Sequence, residues 1–120
     1  MNSETDLLKA NLISIATELF RFERVFEKAV RKLEFSEQAK YQSQFSWFKK
    51  KVDQALDDSG IKIVDLEGKL YDPGMAVTPL NIDEFVKEDQ LYIVQTIEPI
   101  IMQNDTLYKM GTVVLGRVEG

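Results

Sequence analysis

Residues 45–68 read FSWFKKKVDQALDDSGIKIVDLEG, and the spacing of their apolar residues changes at Gly60. Upstream, Tyr41, Phe45, Phe48, Val52 and Ala55 recur at intervals of four and three, the repeat of one helix face. Downstream, Ile61 and Ile63 alternate and Leu66 leads into Glu67-Gly68, which reads as a short strand ending in a turn. Gly60 supplies the helix stop, because glycine enters the left-handed conformation that ends helices without a Cβ clash. The chain is therefore expected to hold a helical dimerisation region over residues 1–60 and a small β-rich domain over residues 61–120. The fold class is α+β.

Toward the N-terminus, Leu8, Leu12, Ile15, Leu19, Phe22, Phe26, Ala29 and Leu33 continue the four-three spacing as a heptad seam. Ser3 and Thr5 offer N-cap oxygens, Asp6 complements the helix dipole, and Ser36-Glu37 reads as the cap of the second helix. At ~1.5 Å per residue the two helices would be roughly 40 and 36 Å long. Ile13, Ala16 and Phe20 add a second stripe beside the first, so one hairpin cannot cover the apolar surface. A homodimeric four-helix bundle is the expected solution, with Leu12, Ile15, Leu19, Phe22, Phe26, Leu33, Phe45, Phe48 and Val52 at the dimer interface. A monomeric helical hairpin packed on the second half is the alternative.

Toward the C-terminus, Leu91–Ile97 is rich in β-branched and aromatic residues, Asn104-Asp105-Thr106 is a turn candidate, and a third strand is expected around Thr112–Val118. Pro99 makes its strand an edge or marks a bend.

Composition excludes most catalysis. Among 120 residues there is no cysteine and no histidine, which removes disulfides, thiolate nucleophiles, Cys/His zinc sites and every imidazole base. No enzyme activity and no cofactor is expected. Residues 1–60 balance ten basic against ten acidic side chains, whereas residues 61–120 set five against ten and carry the whole net charge of −5. An acidic chain without a basic stripe argues against nucleic acid and anionic membranes and for an electropositive protein partner. With no leader-like N-terminus and no apolar run of ~18 residues, a cytoplasmic location is expected.

Individual motifs add little chemistry. Gly68-Lys69 lacks the Ser or Thr and the upstream glycine of a phosphate loop. Asp83, Glu84, Glu88 and Asp89 have no calcium-loop glycine around them and read as a solvated acidic turn rather than a metal site. Lys49-Lys50-Lys51 reads as a solvated helix face, and Trp47 lies off the main seam, as core edge or partner contact.

The order of these features resembles the GrpE family of nucleotide exchange factors for DnaK-type chaperones. Phe22-Glu23-Arg24 matches a Leu-Glu-Arg segment of that family's helix pair. Gly60, Ile61, Gly68, Tyr71, Asp72, Pro73, Ala76 and Val77 stand at the places of its Gly-Val…Gly-x-x-Phe-Asp-Pro…Ala-Val passage. Ile93 through Leu115 resembles its last hairpin, with Asp105 and Lys109 where an Asp and an Arg are usual. The family's His-Glu pair after Asp-Pro is missing, Ile100-Ile101 replace a Gly-Tyr, and Thr106 replaces a second Arg. The resemblance implies a homodimeric co-chaperone that binds the nucleotide-binding domain of a DnaK-type chaperone and speeds ADP release. Its implied partner contacts are Asp72, Met75, Met102, Asn104, Asp105 and Lys109. A dimeric scaffold with the same architecture and a different protein partner is the alternative.

Overall fold

The computed structural model describes residues 3–119. Two helices precede six strands, and the chain divides between Ile61 and Lys62 into two compact units. The class is α+β.

In the first unit, α1 spans Ser3–Arg31 and α2 spans Phe35–Asp58. The expected caps are corrected. Ser3 and Thr5 lie inside α1, whose cap position falls outside the described residues, and the cap of α2 is Glu34 rather than Ser36. Glu34 makes no side-chain cap bond; the connection is instead closed from α2, where the Gln38 amide donates to the carbonyls of Leu33 at 3.0 Å and Arg31 at 3.4 Å. Those carbonyls are among the groups a helix end leaves without intrahelical partners. At the far end Gly60 takes φ 74° and its N–H donates to the Asp57 carbonyl, so the glycine stop stands.

The two apolar stripes of α1 have exchanged ranks. Ile13, Ala16 and Val30, on the second stripe's side, are the buried residues of α1, while Leu8, Ile15 and Phe22 of the heptad seam stay 64, 64 and 52% exposed. Leu12, Leu19 and Phe26, on the seam's inner edge, are half-buried. Residues on the Ile13 side turn toward α2: Glu23 pairs with Lys49 at 3.1 Å, and Phe26 stacks on Phe45 with ring centroids 5.1 Å apart. Phe26 and Phe45, expected at a dimer interface, thus meet within one chain. The seam's outer edge, with Phe48 of α2, is left uncovered.

The second unit is built from β1 (Ile61–Val64), β2 (Val77–Pro79), β3 (Leu91–Glu98), β4 (Ile100–Gln103), β5 (Thr106–Lys109) and β6 (Gly111–Arg117). They form two three-stranded sheets, ordered β1-β4-β5 and β2-β6-β3. β1, β3 and β6 fall where strands were expected; β4 and β5 are the arms of the hairpin that the resemblance implied, closed at the expected Asn104-Asp105 turn, and β2 was not anticipated. Val77, Leu91, Ile93, Ile100, Val113 and Leu115 make the core: Leu91 and Ile93 of β3 and Val113 and Leu115 of β6 take alternate positions as the pleat requires, joined by Val77 of β2 and Ile100 of β4. Gly116 allows β6 to lie against β3, since a Cβ there would stand 2.4 Å from Val94 Cγ2 and 3.1 Å from the Tyr92 ring.

Two polar side chains complete this unit. The β3–β6 register shifts between Ile93 and Gln95, so the alternation changes phase and Thr96, not Gln95, is turned inward. The buried Thr96 hydroxyl donates to Asp65 at 2.7 Å and its N–H to Glu67 at 3.0 Å, which fastens the 65–68 loop to β3. Asn81 extends β2. After the parallel pairs Val77–Gly111 to Pro79–Val113, its side-chain amide donates to the Leu115 carbonyl and accepts from the Leu115 N–H, both at 2.9 Å.

Replacing Asn81 by Ala leaves both Leu115 backbone groups without those partners. The expected loss is ~1–3 kcal/mol of unfolding free energy, measured by denaturant titration. An unchanged midpoint would show that water replaces the amide without cost.

Candidate functional site

Pro99 has no N–H to donate to a ladder, and at this residue the chain leaves one sheet for the other. β3 pairs antiparallel with β6 through Glu98–Thr112, and β4 with β5 from Ile101–Lys109. Residues 91–117 are therefore one long hairpin bent at Pro99, opposite Gly111. At its tip Asn104 and Asp105 take φ of 49° and 66°, the left-handed pair that a two-residue hairpin turn requires.

The outer arm of this hairpin is the most exposed part of the β unit. All four residues of β5 are exposed, and because successive strand residues point to opposite faces, neither face of β5 is covered. β5 is also the edge of its sheet. Leu107, Tyr108 and Met110 are large apolar side chains left in the open. They were not singled out among the implied contacts, although all three lie inside the Ile93–Leu115 hairpin that the resemblance marked.

The expected contact residues separate into two kinds. Asp72, Asn104, Asp105 and Lys109 are exposed. Lys109 reaches back across the bend to Glu98 at 3.2 Å. Met75 and Met102 are half-buried and pack against the core, so their first role is packing, and that core is where the 71–75 loop and the hairpin converge. The loop is anchored by the Tyr71 N–H on the Leu91 carbonyl, by the Tyr71 ring on the core, and by the Met75 N–H on the Asp72 carbonyl. Asp72, Pro73 and Gly74 project between these anchors.

The helical unit offers a groove of about 460 Å³ between α1 and α2, lined by Phe26, Val30, Phe45 and the Glu23–Lys49 pair among others. Its charged residues are already paired, Glu23 with Lys49 across it and Glu27 with Arg31 along α1. Trp47 is exposed, with the Lys51 ammonium 5.4 Å from its ring centroid. Among the described residues no group of three or more acidic side chains could hold a metal ion, and no helix is long and apolar enough to cross a membrane.

No protein-family model matches this chain, and neither a curated protein nor a solved structure matches it.

The surface around the hairpin tip should be separable from stability. Asp105→Asn keeps a residue that tolerates positive φ, and Lys109→Ala removes only an exposed ion pair worth ~0–1 kcal/mol. The doubly substituted chain is expected to melt within a few degrees of the parent by circular dichroism; a large drop would make the pair structural.

Proposed function

We propose that the chain is a homodimeric, GrpE-like co-chaperone that binds the nucleotide-binding domain of a DnaK-type chaperone and promotes ADP release. The observation that carries this reading is the order of elements. A helix hairpin with an uncovered heptad edge is followed by the Tyr71-Asp72-Pro73 loop and then by one long hairpin with a bare tip. The same order gave the resemblance in sequence.

The mode of action needs no reacting side chain. A protein that binds the open form of a nucleotide-binding domain better than the closed form shifts that equilibrium by its differential affinity alone. Asp72, Asn104 and Asp105 would meet the chaperone with acidic and amide groups, and Leu107 and Tyr108 would supply the apolar area. ADP and the co-chaperone then weaken each other's binding by the same factor.

A dimeric scaffold with another protein partner is the second reading, and one observation favours it. Ile100 and Ile101 stand where the family has Gly-Tyr, and both are buried. Those two positions serve the core of this chain rather than a docking surface.

Dimerisation and exchange are tested separately. Phe22 is half exposed within one chain, so Phe22→Ala should leave the hairpin folded yet remove ~1.5–3 kcal/mol of burial per ring from a bundle interface. Light scattering should show a dimer for the parent and dissociation for the variant; a parent that is monomeric at tens of micromolar overturns the bundle. Stopped-flow release of labelled ADP from the cognate chaperone should speed up with added protein and slow as salt rises, through the association rate. Equal rates with and without the protein leave the scaffold reading.

A further inference from the structure

Residues 80–90, LNIDEFVKEDQ, place three large apolar side chains in solvent: Leu80 and Val86 are each 63% exposed and Ile82 41%. Phe85, between them, packs against the core. This is not a slack loop whose side chains could fold inward. The Leu80 N–H donates to the Val113 carbonyl and the Asn81 amide grips Leu115. A 3-10 turn over Ile82–Glu84 is closed by the Phe85 N–H on the Ile82 carbonyl. The Val86 N–H donates to the Asp89 carboxylate at 3.0 Å, and Asp89 pairs with Arg117 at 3.4 Å. Turning Leu80 or Val86 inward would break these bonds, so the frame holds the apolar groups outward.

The charges in the same segment divide cleanly. Asp89 belongs to the frame. Asp83, Glu84 and Glu88 are exposed and take part in none of the ion pairs of the described residues, with Lys87 the sole basic side chain among them. Elsewhere in this unit Asp65, Glu67 and Glu98 are engaged by Thr96 or Lys109, while Asp72 and Asp105 stand singly on the 71–75 loop and the hairpin tip. Three free carboxylates thus stand in sequence around three outward apolar side chains.

We infer that residues 80–90 form a docking surface for a basic, apolar segment of another protein, one in which Leu, Ile or Phe side chains are flanked by Lys or Arg. Charge complementarity selects this occupant. A phosphate-bearing surface, whether nucleic acid or anionic lipid, meets three like charges here, whereas a cationic segment neutralises them as it covers the apolar groups. The surface is distinct in sequence from the 71–75 loop and the β4–β5 tip, so the inference holds whether or not the exchange reading does.

The test is an amide NMR titration of the full chain with a synthetic amphipathic Leu/Lys peptide, a Leu/Glu peptide of the same pattern, and phosphatidylserine-containing vesicles. The Leu/Lys peptide should shift amides within residues 80–90 and bind more weakly as salt rises; the other two should leave them unmoved. Leu80→Ser with Val86→Ser should weaken binding by about tenfold or more while the melt by circular dichroism is kept. Asp83→Asn with Glu84→Gln and Glu88→Gln should flatten the salt dependence, which keeps the inference open to refutation if the serine variant unfolds. Shifts that map elsewhere, equal binding of the Leu/Glu peptide, vesicle binding, or concentration-dependent shifts of the segment from self-association would each overturn it.

Discussion

The bend at Pro99 sets the shape of the β unit, because it is there, where the ring fixes φ, that the long hairpin passes from one sheet to the other. The hairpin bends and its two halves join different sheets: β3 and β6 close against β2, β4 and β5 against β1. The inner half then contributes Leu91, Ile93, Val113 and Leu115 to the core, and the outer half leaves β5 without cover on either face. Core and exposed tip thus lie on the two sides of one bend.

The helical unit obeys a different constraint, which is surface to be covered. An α-helix with two adjoining apolar stripes can give only one to a single antiparallel partner. The Glu23–Lys49 pair and the Phe26–Phe45 stack align α1 and α2 on the Ile13 side of α1, so Leu8, Ile15 and Phe22 are left outside. Exposed apolar residues scattered singly need no explanation, but three at consecutive heptad positions are a seam.

What could be read from the sequence follows from the range of the interactions involved. The helices, the Gly60 stop, β1, β3 and β6 depend on local periodicity and on glycine's backbone freedom, and all were legible. The β4–β5 arm was marked only by its turn and by the resemblance, because Ile100-Ile101-Met102 has no alternation and β5 no buried face, so neither shows the period-two signal. Asn81 and Thr96 were missed for another reason. Their partners lie 34 and 29 to 31 residues away, and only the tertiary register makes a strand extender of one and a loop anchor of the other. The α2 cap was misplaced at Ser36 because capping propensity is local, whereas Gln38 closes that connection by reaching back to α1. At the candidate site, the exposed polar residues were legible as turn chemistry, while Met75 and Met102 were assigned outward and pack inward.

The chain has no cysteine and no histidine, and among its described residues no group of three or more acidic side chains could hold a metal ion. It has ample means of presenting surfaces. The 71–75 loop, the hairpin tip and the 80–90 segment are each held by backbone hydrogen bonds or core contacts on both sides of the residues they expose. Such anchoring matters energetically, because ordering a loose segment on binding offsets much of the free energy its contacts supply. Surfaces fixed in advance avoid that cost, and they also discriminate. A rigid surface can favour one conformation of a partner over another only because it does not deform to fit both. In the 71–75 loop that stiffness comes from the Tyr71 N–H on the Leu91 carbonyl and the Tyr71 ring on the core, and at the 80–90 segment from the Asn81 clamp on Leu115.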